Sequence, residues 1–219
     1  MVSLIALVVA LAPHTVAPAA ACDQRVFSTI ASPTPDSDTG HGIATGTADI
    51  DGMDVVGGNF TRYSAYTVAD WEPVLRDAGS QDEWVPERFG YDKSEYIDKD
   101  HMYLSFDIGF MFDAIHIKRQ LVAQVMNVDH GDHFDSCWWM IDPAPYMTRI
   151  TQWATDATWE KTMLGRWEVS NRPGGGSLVS YQWWAESGHI PTGIQRYAVS
   201  RTIPDLLDAF EARVGQLKK

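Results

Sequence analysis

The clearest periodicity lies in the second half of the chain. Met102, Leu104, Phe106 and Ile108 alternate with Tyr103, Ser105 and Asp107, the pattern of a strand buried on one face. Residues 119–126, 136–142, 149–155, 160–169 and 178–185 also read as strands. Short polar or glycine-rich turns join them, most plainly Arg172-Pro173-Gly174-Gly175-Gly176. Consecutive strands with short connections predict an antiparallel meander. The period then lengthens. Leu206, Leu207, Phe210, Val214 and Leu217 recur at spacings of three and four, which predicts a long terminal helix. That helix begins as early as Pro191, carries Ile194 and Tyr197 on the same stripe, and is kinked by Pro204. Upstream, residues 54–68 predict a first strand with Gly57-Gly58 as a turn or bulge. Asp70-Trp71-Glu72-Pro73 reads as a capped helix start, and residues 82–88 as a second short helix. One strand, two short helices, six strands and a long helix make an α+β fold, because only that helix is long enough to cover the sheet.

The N-terminal pattern is different. Residues 2–12 form an apolar run, followed by small residues up to Ala21. The run is shorter than the roughly 20 residues a membrane span needs, and residues 1–21 read as a signal peptide. Residues 22–53, rich in Ser, Thr, Asp, Gly and Pro, read as a flexible tether, with the ligand-binding domain at 54–219. Export to a periplasmic, secreted or outer-surface location follows as an expectation. Ala19-Ala20-Ala21-Cys22 is similar to a lipoprotein box, which makes Cys22 a candidate for lipidation. Without that modification, Cys22 and Cys137 have the option of pairing in an oxidising compartment, although Cys137 in an apolar run reads as an inert buried thiol. Asn59-Phe60-Thr61 fits a glycosylation acceptor.

Composition narrows the function. The chain has 219 residues, with 17 Lys and Arg against 29 Asp and Glu, a net charge of -12 that argues against nucleic acid as a partner. At 45% hydrophobic and 21% charged it is a globular protein with a sizeable core. Of its 9 Trp, most fall between Trp138 and Trp184. The neighbours Trp138-Trp139 and Trp183-Trp184 must each place one indole on either face of a sheet, so one of each pair either contacts a membrane, lies exposed or is covered by another element.

Three stretches carry a resemblance. Gly188-His189-Ile190-Pro191 leading to Arg201-Thr202-Ile203-Pro204-Asp205-Leu206-Leu207 resembles the turn and long helix of the START-like (helix-grip, SRPBCC) superfamily. Asp82-Glu83-Trp84-Val85-Pro86 is similar to its helix–helix element. Ile117-Lys118-Arg119-Gln120-Leu121-Val122 matches a strand start where many members have Asp in place of Gln120. The resemblance implies a curved antiparallel sheet wrapped around the C-terminal helix, with two short helices after the first strand. It also implies a deep apolar cavity for a lipid, sterol or other hydrophobic molecule. Lipid-transfer domains, polyketide cyclases and aromatases share that fold, so fold alone does not choose the function.

Strand alternation nominates the cavity wall: Met102, Leu104 and Phe106 on one strand, Trp138 and Met140 on another, Trp167 on a third, Val179, Tyr181 and Trp183 on the last. Ile194 and Tyr197 on the helix and Arg119 as a polar anchor complete the set. Core packing has the same periodicity and remains open at this point. His116 and Arg119 are candidates for acid and anchor in an enzyme of this fold. The loop from Asn127 to Asp135 holds two His and three Asp, yet reads as a solvated acidic turn. No nucleophile elbow, phosphate loop or dinucleotide fingerprint is present, and no catalytic residue, cofactor or metal is assigned. The reading is a non-catalytic binder or carrier of a hydrophobic ligand, with membrane contact through a lipidated Cys22 or an exposed Trp. Its alternatives are a cyclase- or dehydratase-type enzyme and an interaction protein whose cavity is filled.

Overall fold

A computed structural model describes residues 22, 25–110, 115–186 and 191–219. The expected leader (1–21) and the turn residues 188–190 lie outside them. Nine strands form a single sheet: β1 (His41–Ile50), β2 (Met53–Ser64), β3 (Tyr91–Tyr96), β4 (His101–Phe110), β5 (Ile115–Asp129), β6 (His133–Ile141), β7 (Thr158–Trp159), β8 (Met163–Asn171) and β9 (Ser177–Glu186). Their spatial order is β1-β2-β9-β8-β6-β5-β4-β3, all antiparallel, with β7 alone running parallel to β5. Between β2 and β3 lie α1 (Val68–Arg76) and α2 (Gln81–Trp84). A short α3 (Met147–Ile150) follows β6, and α4 (Thr192–Leu217) closes the chain. This is the expected helix-grip order. Among the described residues no helix is long and apolar enough to cross a membrane.

Helix α4 lies across the concave face of the sheet. Its Leu207, Phe210 and Val214 are buried against Phe60, Phe134, Val169 and Val179, with Trp71 of α1 in the same cluster. Arg62 on β2 binds Asp208 and Glu211 of the helix. Ser64 donates to Glu211 at 2.7 Å and accepts from the Trp71 indole at 3.1 Å. Near the helix end, Lys218 meets Asp70 at 2.9 Å. Asp70 is not the cap itself: Thr67 is, and Asp70 accepts back from the Thr67 amide at 2.9 Å, half of a capping box. The C-terminal half of α4 is therefore fastened to both β2 and α1.

Four expectations need correction. The segment 22–53 is not a flexible tether throughout, because β1 occupies 41–50 and pairs with β2 along its whole length. The hairpin turns on Asp51-Gly52, both at positive φ (53° and 80°), which is the backbone a two-residue hairpin loop requires. β1 was hidden because it is an edge strand of small and polar residues without apolar alternation. Residues 149–155 are not a strand: Tyr146, Ile150 and Trp153 recur at four and three, and pack on Tyr103 and Val122 from a helical turn and its exit. β3, absent from the sequence reading, is a charged edge strand, YDKSEY, with the lysine and acids that suit an edge. Finally, Asn59 is completely buried in β2, donating to Ser32 and accepting from Ser180, so it is closed to glycosylation.

The convex face is covered as well. Cys22 is disulfide-bonded to Cys137 on β6 across a sequence separation of 115, so Cys137 is not a free thiol and the Cys22 sulfur is occupied where a lipid thioether would form. From there Val26 and Phe27 pack over Val55, Leu164 and Trp184, with Ile30 and Trp139 alongside. The N-terminal arm is thus a strap over the back of β2, β9, β8 and β6.

Candidate functional site

The adjacent indoles divide between the two faces. Trp184 lies on the convex side over Gly57, and Trp139 beside it under the strap. Trp138 lies on the concave side across Gly165, and Trp183 faces the same interior. A side chain on Gly165 would meet the Trp138 ring at 2.6 Å, so the glycine is what allows that indole to lie flat on the sheet. Trp71, Trp167 and Trp184 are buried and the other six Trp are half-buried, so none stands fully exposed.

Between the sheet and the helices lie two adjoining chambers. The inner one lies under α1 and α2 and is small, with a cavity volume of about 40 Å³. The outer one lies under the N-terminal half of α4, with a cavity volume of about 120 Å³. Tyr91, Leu104, Trp138 and Tyr181 border both, so the chambers meet at those four side chains. Helix α4 borders the outer chamber. Its C-terminal half seats Leu207 and Phe210 in the core, while Ala198, Thr202 and Leu206 look across free space.

The sequence-nominated residues sort between the two chambers, the core and the surface. Met102 and Trp167 line the inner chamber, Phe106 and Trp183 the outer, and Leu104, Trp138 and Tyr181 both. Val179 shares the strand face of Tyr181 but lies under the seated half of α4, so it is core. Met140 packs beside the apolar cluster without lining either chamber. Ile194 and Tyr197 are 45% and 65% exposed and are corrected to surface positions: they stand on the first turns of α4, beyond the packed stripe that starts at Ala198. Arg119 is not a cavity anchor, since it pairs with Glu160 at 3.3 Å. The His116 side chain lies outside the described residues.

Gln120 has a structural job. It is buried, accepts from the Tyr103 hydroxyl at 2.9 Å and donates to the Ala157 carbonyl at 2.6 Å, pinning the 155–157 connection to β5. At the β5–β6 turn, ligand-type atoms of His130, His133 and Asp135 lie within 4.8 Å of one another. Arg166 holds Asp135 through Nε and Nη2 at 3.2 and 3.0 Å, so a cation at this cluster would face a guanidinium.

Residues missed by the sequence reading supply the polar part of the wall: Gln81, Tyr91, Ser136 and Thr202. None stands out in a strand or helix pattern. No Asp, Glu, Lys, Arg or His borders either chamber among the described residues. Burial pushes the Tyr91 hydroxyl up to about 12 and raises Tyr181 well above its ordinary value, with Tyr91 adding to the effect, so both stay neutral. Trp167 stacks on Tyr181 at 4.3 Å and on Phe210 at 4.5 Å, a continuous aromatic wall between strand and helix.

No family model matches the sequence, and no curated protein does. Solved structures do match the fold. Human StAR-related lipid transfer protein 5 aligns with a TM-score of 0.61 at 11% identity, covering 92% of this chain and 96% of that one. A STAR-related lipid transfer protein fragment from Xanthomonas axonopodis aligns at 0.59 with 18% identity, covering 84% and 97%. Human STARD10 aligns at 0.57 with 8% identity, covering 88% and 78%. At these identities the likeness is one of architecture.

Proposed function

We propose that this chain, with its START-like helix-grip fold, binds and carries a hydrophobic molecule of the lipid or sterol kind between its sheet and α4, without catalysing a reaction. One observation carries the reading: the chambers are apolar, aromatic and free of charged side chains among the described residues. The lipid-transfer names of the structural neighbours point the same way. No acid–base pair borders the chambers among the described residues, which favours binding over chemistry. We further propose export to an oxidising compartment, supported by the leader pattern and by the disulfide, since such bonds persist outside the cytosol.

Native mass spectrometry of the purified protein, followed by organic extraction, tests the carrier. A co-purifying apolar molecule is the expected result. If nothing co-purifies, and the Trp fluorescence stays flat against sterols, fatty acids, fatty alcohols and phospholipids, the reading is wrong. The mass of the native N-terminus tests export: an N-terminal Cys22 without added lipid is expected, and an intact leader would overturn it.

A further inference from the structure

The inner chamber contains polar groups that the protein does not use. Gln81 is 9% exposed, Ser136 3% and Tyr181 5%, and all three border the chamber. Among the described residues, none of their side chains has a protein hydrogen-bond partner. Some equally buried polar groups elsewhere are paired, Ser94 with Asp82 at 2.7 Å, Asn59 with Ser180 at 2.9 Å, Gln120 with Tyr103 and Ala157, whereas Ser105 Oγ and Gln182 Oε1 have no partner either. Buried donors and acceptors are costly unless something satisfies them. What sets Gln81, Ser136 and Tyr181 apart is that all three border one chamber, where a ligand's polar atoms can reach them. The Tyr91 hydroxyl borders the same space.

The chemistry of those groups restricts the ligand. An amide, an aliphatic hydroxyl and two neutral phenols donate and accept, but none carries charge. With no cation on the wall, a carboxylate or phosphate would lose its hydration without gaining a counter-ion. The adjoining outer chamber presents Phe106, Met163, Trp183, Ile203 and Leu206, which suits an apolar body.

We infer that the inner chamber receives an uncharged hydrogen-bonding end, a hydroxyl, carbonyl or amide, while the apolar body lies in the outer chamber under α4; anionic head groups are rejected. This rests on the carrier reading and specifies its ligand class. The test compares 1-dodecanol with dodecanoate at pH 8, by Trp fluorescence titration of the disulfide-intact protein. The alcohol is expected to bind at least about tenfold more tightly, a difference near 1.4 kcal/mol. Gln81→Leu with Ser136→Ala should narrow the ratio to within about threefold while both ligands still bind. Tyr181→Phe, which deletes one oxygen and keeps the ring, should narrow it by a smaller factor. Equal affinities in the wild type, or a ratio that all variants leave unchanged, would overturn this inference and leave the carrier intact. If neither dodecyl compound nor any other apolar probe binds, the carrier reading falls with it.

Discussion

The two faces of this sheet are built from the same strands with the same alternation, and they end in opposite states. On the convex side, Trp184 is completely buried beneath Val26 and Phe27, held there by the strap and its disulfide. On the concave side, the neighbouring Trp183 looks into free space under α4. What covers a face decides whether it is core or cavity. A short arm that follows the sheet closes the back, whereas the helix on the front leaves free space beside residues 198–206. Alternating residues alone do not distinguish the two.

The largest test of that contrast is Trp184→Ala. Truncating a completely buried Trp leaves a void the strap cannot fill, and about 3–5 kcal/mol of stability should be lost in urea unfolding. Dodecanol affinity should stay within about threefold, because the convex face has no part in the chamber. Loss of binding with no change in stability would reverse the roles assigned to the two faces. Next comes the disulfide. Cys22→Ser with Cys137→Ser should cost about 2–4 kcal/mol, read as a lower midpoint than the oxidised wild type. Identical midpoints would mean that packing alone retains the strap.

Glu160 supplies a test at the sheet edge. Burial pushes its carboxyl up to about 6 from an ordinary 4.5, with Arg119 opposing the shift. The folded state then binds this proton more tightly than the unfolded one, so stability falls as pH rises from about 4.5 to about 6 and stays lower above. The change amounts to about 2 kcal/mol. Glu160→Gln should remove that slope, and parallel pH–stability curves for the two proteins would refute it. The smallest effect is expected at Trp183→Ala, where one side of the ring already faces free space and has fewer contacts to lose. Stability should drop by about 1 kcal/mol, with a clear change in ligand affinity. A loss as large as that at Trp184 would mean that the concave side is as tightly packed as the convex one.

Much of the concave wall was legible from sequence. Period-two alternation placed Leu104, Phe106, Trp138, Tyr181 and Trp183 on the interior face, and the adjacent Trp pairs divided as strand geometry demands. Val179 was misplaced because it depends on where α4 touches the sheet, which no strand pattern encodes. Ile194 and Tyr197 continue the helix toward its start but overhang the stripe that packs. β1 and β3 escaped because edge strands are stabilised by backbone pairing and need little apolar alternation; only Asp51-Gly52 hinted at the first. Gln81 and Ser136 were invisible for a different reason. A polar side chain in an amphipathic segment normally faces water, and only the three-dimensional surroundings reveal that these two do not.

The bond between Cys22 and Cys137 also has a mechanical meaning. It closes a covalent ring that contains β1 to β5 and ends within β6, while β7, β8, β9 and α4 hang outside it. Force applied at the C-terminus would strip α4 first and then peel the trailing strands, and the extension would stop dead at Cys137. The element that roofs the chambers is thus on the extensible part of the chain, together with β8 and β9, whereas β1 to β5 lie on the part that cannot be extended.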